Sequence, residues 1–209
     1  MPFADRFTQI DKLTRPDHVW LTEDDACFFL GEYTARGGYA YSATNDLIHN
    51  FKKSPDRRGR PEWRYKERDI ERAAGAFRRA LGDDPPPLTL VPVPPSKARD
   101  DPLYDDRMTR MLQAIWPDKQ ADIRELIVQA ESTTAAHAVV VSRPDPGQIQ
   151  DRYQIDETLT TPAPTSIAIV DDVLTTGAHF RAASAVLAAQ FPTAAIVGLF
   201  IARRAPGAV

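Results

Sequence analysis

The chain has 209 residues, of which 43% are apolar, and a formal net charge of −3 at pH 7. This size predicts one α/β domain with an added hood, or two small lobes, with enough apolar residues for a buried core. The single cysteine, Cys27, excludes an internal disulfide and a thiolate zinc cluster. No apolar run approaches the ~20 residues of a membrane span, and the first residues lack the pattern of a secretory signal. We therefore expect a soluble cytoplasmic protein that makes no membrane contact.

The first 84 residues predict an N-terminal region of two strands and two helices that includes a basic segment. Apolar runs followed by turn residues predict the strands, and apolar residues at helical spacing predict the helices. The predicted elements are strands over residues 18–21 and 26–34, which could form a hairpin, and helices over residues 43–53 and 62–81.

Residues 85–209 predict the core domain, because strands alternate with helices from residue 88 onward. This alternation is typical of a parallel sheet covered by helices. The predicted elements are strands over residues 88–93, 123–128, 165–170 and 194–202, and helices over residues 106–116 and 178–190. The long polar segment 130–160 predicts a functional lid or a flexible arm.

The most informative segment is residues 167–177, which read Ile-Ala-Ile-Val-Asp-Asp-Val-Leu-Thr-Thr-Gly. Its β-branched residues suit a buried parallel strand, and Asp171 and Asp172 fall at the carboxyl end, where open α/β sheets bind ligands. Carboxylates there can accept hydrogen bonds from a ribose diol or lie near a hydrated Mg²⁺. A turn of small residues before a helix N-terminus can hold a phosphate monoester. The alternative is a buried strand, an acidic turn and a capped helix without a ligand.

A second segment, Leu-Val-Pro-Val-Pro-Pro-Ser-Lys-Ala-Arg over residues 90–99, ends a predicted strand in a sharp turn followed by two cations. On its own it is equally typical of a proline-rich strand end. Its order and distance relative to residues 167–177 favour a second anion-binding loop.

Together these segments resemble type I phosphoribosyltransferases, and within them the ComF-type family. The resemblance covers roughly residues 39–204 and is most specific at the strand and Thr-Thr-Gly turn of residues 167–177. Residues 45–53, 90–99, 103–107 and 200–204 also resemble family segments. The chain lacks the family's four-cysteine zinc ribbon, and it reads Leu-Tyr-Asp-Asp-Arg where the family typically shows Gly-Phe-Asn-Gln.

The resemblance implies a parallel sheet flanked by helices with an N-terminal hood. It also implies transfer of the 5-phosphoribosyl group of 5-phosphoribosyl-1-pyrophosphate (PRPP) to a nitrogen acceptor resembling a nucleobase, with Mg²⁺ as the cofactor. Asp171 and Asp172 would contact the ribose hydroxyls, directly or through metal-bound water, and one of them could act as a general base. The 5-phosphate would be held by Thr175, Thr176, Gly177, Ala178 and His179, and the pyrophosphate by Ser96, Lys97 and Arg99. Related enzymes often form dimers, so a homodimer is one expectation.

The sequence also allows two other functional interpretations. A sensor on the same fold would bind PRPP or a nucleotide without transfer, because a fold alone does not give activity. A nucleic-acid accessory protein would use the basic segment 52–68, whose eight cations against three carboxylates could make a weak nucleic-acid contact or form a solvated face. In the predicted lid, Arg143 and Arg152 could close over pyrophosphate, and His137 lies at the head of the lid.

Overall fold

Apolar, β-branched segments form a five-stranded sheet in the computed structural model, which describes residues 4–132 and 145–206. A further two-stranded sheet lies beside it. The strands are β1 Thr8–Gln9, β2 Cys27–Thr34, β3 Thr89–Pro92, β4 Ile127–Gln129, β5 Tyr153–Ile155, β6 Ser166–Leu174 and β7 Ala195–Ala205. The helices are α1 Ala43–Phe51, α2 Trp63–Leu81, α3 Arg107–Ile115, α4 Pro146–Gln150 and α5 Ala178–Gln190.

The larger sheet has the order β1-β2-β7-β6-β3. Strands β2, β7, β6 and β3 run parallel, and β1 pairs antiparallel with β2 at the edge. The structure is therefore α/β with a mostly parallel central sheet flanked by helices. Strand β2 comes from the predicted hood segment, so the sheet contains strands from both sides of residue 84, and the division at that residue stays a prediction.

Helices cover both faces of this sheet. In β6, Ala168 and Val170 pack with helices α1, α2 and α3, whereas Ile167 and Ile169 pack with α5. This alternation follows from the two-residue repeat of a strand. Both faces of β6 are buried over residues 167–170, which explains why these four consecutive residues are all apolar.

One predicted strand is wrong and another is only partly correct. Residues 18–21 form no strand; a 3-10 turn at Arg15–Asp17 precedes them, and β2 pairs with β1 instead. Residues 18–21 were misread because His18 and Leu21 are buried against the turn after β6 rather than in a sheet. Residues 127 and 128 of the predicted strand 123–128 belong to β4, which pairs with β5 in the smaller sheet, whereas its first residues make only a single bridge between Ile123 and Leu90.

The other elements are close to their predicted positions. Helix α5 has the predicted bounds, and α2 and α3 each differ by one residue at the ends. The described part of the predicted lid contains α4 and β5, whereas His137 and Arg143 lie outside the described residues. None of the helices in the described ranges has the length and apolar character needed to cross a bilayer.

Candidate ligand site at the carboxyl ends of the parallel strands

The two segments that the sequence analysis singled out meet at the carboxyl ends of the parallel strands. Pro92, the last residue of β3, pairs with Val170 of β6, and the amide of Val93 donates to the Val170 carbonyl at 2.9 Å. Residues 93–99 therefore leave the sheet beside Asp171 and Asp172. The structure brings the two predicted anion-binding segments together, as the parallel arrangement of their strands requires.

Asp172 is buried and is contacted by two cations. Its Oδ1 lies 2.8 Å from Lys52 Nζ, directly after α1, and its Oδ2 lies 2.8 Å from an Arg107 guanidinium nitrogen at the start of α3. Burial alone would raise the pKa of this carboxyl, but the charges of Lys52 and Arg107 outweigh it and hold the pKa below its ordinary value. Asp172 is therefore an ionised, fixed carboxylate.

Asp171 differs from Asp172 in its surroundings. The alternation of β6 directs it to the opposite side of the strand, and its Oδ1 accepts a hydrogen bond from the Asp172 amide at 2.7 Å. Burial and the adjacent Asp172 charge raise the pKa of Asp171 to about 7. Two neighbouring carboxyl groups thus have opposite pKa shifts, a pattern found where one group exchanges protons and the other stays charged.

The Asp172 ion pair is one end of a chain of alternating charges. Arg107 also contacts Asp105 at 2.7 Å, and Asp105 accepts from Lys66 Nζ through both oxygens, at 2.8 and 2.7 Å. Lys66 is fully buried, and its ammonium donates in addition to the Lys53 carbonyl at 2.6 Å. The chain links α1, α2 and α3 to β6 and so fixes Arg107 and Lys52 beside the aspartates.

Residues Thr175 to Gly177 form the turn between β6 and α5. Gly177 is the N-cap of α5 and has a left-handed backbone with φ of +85°. The first N–H groups of a helix have no partner within the helix, and glycine has no side chain to cap them. Ala178 begins the helix, so amides near the helix start and the hydroxyls of Thr175 and Thr176 are available to an anion.

His179 is an exposed residue on the first turn of α5. Its Nδ1 lies 3.0 Å from Tyr153 Oη, which connects the helix to β5. Burial, followed by the Asp171 charge, raises the pKa of Tyr153, so this hydroxyl stays protonated at neutral pH. The contact of His179 with a phosphate stays a prediction.

The predicted pyrophosphate residues follow β3. Lys97 Nζ is 3.7 Å from Asp101, a loose surface contact. Arg99 is held more firmly, at 2.7 Å from Glu125 and 3.1 Å from Asp156, and Ser96 lies in the same loop. Arg99 would therefore have to leave two carboxylates to reach a ligand, whereas Lys97 is less constrained.

The basic segment 52–68 is divided between the charge chain and an exposed surface. Lys52 and Lys66 belong to the charge chain, and the exposed Arg68 contacts Asp69 at 2.8 Å. Exposed cations lie beside the aromatic rings at the start of α2: Arg64 and Arg68 are 4.9 and 5.1 Å from the Tyr65 ring, and the Arg58 guanidinium is 5.6 Å from the Trp63 ring. The predicted nucleic-acid contact is thus left with fewer cations than the sequence suggests.

Several residues of the site were not identified from the sequence. Lys66 lies four residues before Ile70 and seven before Ala73, on the apolar face of α2, and a lysine at such a position is itself a signal of a buried ion pair. Arg107 belongs to the segment that departs from the family pattern. No local feature of the sequence indicates that Arg107 reaches Asp172, sixty-five positions away.

The described residues contain no group of three or more His, Cys, Asp or Glu side chains placed to hold a metal ion. Mg²⁺ is usually bound by one or two carboxylates together with waters and substrate phosphates. Asp171 fits that role, because a cation is paired with Asp172 and none is paired with Asp171 among the described residues.

No protein-family model matches this chain, and no curated protein matches it either.

Proposed function

We propose that this protein is a PRPP-dependent phosphoribosyltransferase. It would bind PRPP and transfer the 5-phosphoribosyl group to a nitrogen acceptor resembling a nucleobase, releasing pyrophosphate. The observation that carries the proposal is the convergence of two differently charged aspartates, a glycine turn and the start of α5 at one sheet edge. This arrangement offers separate places for a sugar diol and a phosphate monoester.

The 5-phosphate would bind at the turn. Backbone N–H groups from Thr176 to His179, with the hydroxyls of Thr175 and Thr176, supply donors to three phosphate oxygens. The macrodipole of α5 adds a partial positive charge at the same point. This binding is independent of the acceptor and would fix the sugar for reaction.

Asp171 would accept hydrogen bonds from the ribose hydroxyls and lie near Mg²⁺, which stabilises the charge of the departing pyrophosphate when it is bound with PRPP. In the protein without ligand the pKa of Asp171 is raised to about 7, and as a carboxylate beside the sugar it would be placed to act as the general base for the acceptor nitrogen. Asp172 would act differently, since both of its oxygens contact cations; it would position Lys52 and Arg107. Lys97 and Arg107 would face the pyrophosphate, with Ser96 and Arg99 on the same loop.

In the proposed reaction the bond between the anomeric carbon and the pyrophosphate oxygen breaks, and a bond to the acceptor nitrogen forms. The electron pair of the broken bond leaves with pyrophosphate, and the proton of the acceptor nitrogen passes to Asp171. The sugar has oxocarbenium character in the transition state, as in glycoside chemistry. The protein's contribution is to hold the sugar in line, stabilise the leaving charge and exclude water.

A second candidate is a PRPP-binding regulator without transfer chemistry. It is favoured by the two ion pairs that Arg99 makes with the Glu125 and Asp156 carboxylates. Such a protein would keep the phosphate turn and Asp171, while Arg99 would stay paired with these carboxylates instead of contacting pyrophosphate.

Pyrophosphate release distinguishes the two functions. The protein is incubated with Mg²⁺, PRPP and each member of a panel of purine, pyrimidine and pyridine bases, and pyrophosphate is measured enzymatically. Release with one base, abolished by Asp171→Ala and kept by the surface variant Arg78→Ala, is the result expected of a transferase. Saturable PRPP binding with no release for any base would indicate the regulator instead.

A further inference from the structure

A segment near the N-terminus contacts the turn that follows β6. Residues 18–25, here called the strap, run past this turn without forming a strand. The strap makes contacts with three consecutive residues of the turn, and a fourth contact joins it to α5. The hydrogen-bonded pairs are 156 and 157 positions apart in the chain, so the contacts are tertiary rather than local.

Two of the contacts are hydrogen bonds to consecutive carbonyls of the turn. The Nδ1 of His18 donates to the Thr175 carbonyl, and the backbone amide of Trp20 donates to the Thr176 carbonyl at 2.9 Å. His18 is fully buried. Because a carbonyl only accepts, the proton must lie on Nδ1, and burial lowers the pKa of His18 so that the ring stays neutral.

The other two contacts are packing and charge. A Cβ added at Gly177 would lie 2.8 Å from Cδ2 of Leu21, so the strap fills the space where any other residue would place its side chain. Asp25, at the end of the strap, lies 2.9 Å from a guanidinium nitrogen of Arg181 in α5. The turn is thus held on one side by backbone, side-chain and ionic contacts together.

Peptide geometry then determines where the amides of the turn point. In a planar trans peptide the carbonyl and the next N–H point in opposite directions. Since the Thr175 and Thr176 carbonyls point to the strap, the N–H groups of Thr176 and Gly177 point away from it. These N–H groups are donors that an anion at the turn would need.

We infer that the strap positions the phosphate-binding turn, and that His18 is the positioning residue that aims the Thr176 and Gly177 amides at the 5-phosphate. The inference deepens the proposed function and rests on it for the identity of the anion. His18 itself does not touch the ligand; it acts through the backbone of the turn. Its loss should therefore weaken ligands that carry a 5-phosphate and spare pyrophosphate, which would bind at residues 96–99 and Arg107.

The test uses the full chain and two separate probes, ribose 5-phosphate and Mg²⁺-pyrophosphate, in titration calorimetry. His18→Leu removes the hydrogen-bond donor. His18→Gln places its amide where Nε2 was, so it does not replace Nδ1. His18→Asn places an amide nitrogen close to the position of Nδ1, from which it can donate to the Thr175 carbonyl. We expect His18→Leu and His18→Gln to bind ribose 5-phosphate about tenfold more weakly, equivalent to about 1.4 kcal/mol. His18→Asn should restore the affinity, and Mg²⁺-pyrophosphate should bind all variants equally. Val19→Ala, an exposed position in the strap, is the matched control.

Undiminished ribose 5-phosphate binding by folded His18→Leu would overturn the inference, as would equal weakening of both probes. If His18→Leu does not fold, the comparison of His18→Gln with His18→Asn decides in its place. Wild-type protein that binds neither probe would contradict the proposed function but would not test whether the strap positions the turn. Hydrogen exchange of the Trp20 amide is therefore measured by NMR as well. Exchange about tenfold faster in His18→Gln than in His18→Asn supports the strap, and equal exchange refutes it.

Discussion

Asp171 and Asp172 are adjacent and chemically identical, yet we expect their replacement by asparagine to change stability in opposite directions. Asp172 is buried and contacts both Lys52 and Arg107 at 2.8 Å. Removing one partner of a buried ion pair costs about 3–5 kcal/mol. The side chains of Lys52 and Arg107 are 34% and 20% exposed and can be partly rehydrated, so we expect Asp172→Asn to destabilise the fold by about 2–3 kcal/mol.

Asp171→Asn keeps the oxygen that accepts from the Asp172 amide and removes a charge next to a like charge. At about pH 8, where both carboxyls would be ionised, the variant should be more stable than the wild type by on the order of 1 kcal/mol. The pH dependence follows from the direction of each shift. The folded pKa of Asp171 is raised to about 7. The contribution of Asp171 to the free energy of unfolding is therefore fully present below its unfolded pKa of about 4 and is lost as the pH rises through 7.

For Asp172 the folded pKa is lowered, so its contribution is present above the unfolded pKa of about 4 and is lost as the pH falls through the folded value. Urea unfolding at about pH 8 and about pH 5 measures both effects, provided that the m-values of the variants agree. The advantage of Asp171→Asn should shrink or vanish at about pH 5. Equal destabilisation by the two variants, or a larger loss for Asp171→Asn, would refute the reasoning.

Two further substitutions test the packing of the turn and the buried charge chain. Gly177→Ala should destabilise the fold by about 2 kcal/mol or more in thermal unfolding, because a Cβ would clash with Leu21. The control Gly59→Ala has the same φ but open space around it, and it should destabilise the fold by only about 1 kcal/mol. Equal losses would show that Leu21 does not matter. In urea unfolding, Lys66→Met should destabilise the fold by about 3 kcal/mol, because Asp105 loses its buried ammonium partner. Adding Asp105→Asn should recover part of this loss, whereas strictly additive losses of the two substitutions would contradict the pairing.

The helices and the parallel strands could be predicted because each has a repeating apolar pattern. Helix α5 has the bounds that its pattern predicts, and β6 begins as expected and extends through the aspartates to Leu174. The strap could not be predicted, since the apolar residues of 18–21 resemble a strand while their burial depends on a turn distant in the chain. Local pattern indicates that a residue is buried, not which partner buries it.

The arrangement of the candidate site could be predicted where its residues are contiguous in the sequence. Asp171, Asp172 and the turn to Ala178 are consecutive and were identified together, and the parallel pairing of β3 with β6 placed the second loop beside them. The cations on Asp172 come from α1 and α3, at sequence separations that carry no local signal. The different electrostatic surroundings of the two aspartates follow from those cations, and therefore could be described only from the structure.

The most direct test of the central proposal is titration calorimetry of Mg²⁺-PRPP into the wild type and into Asp171→Asn, with Arg78→Ala as a control at the far end of α2. We predict one saturable site in the wild type and in the control. Asp171→Asn should weaken binding at least tenfold while remaining folded, because the ribose hydroxyls lose a charged acceptor. No binding by folded wild-type protein, or equal binding by Asp171→Asn, would contradict the account.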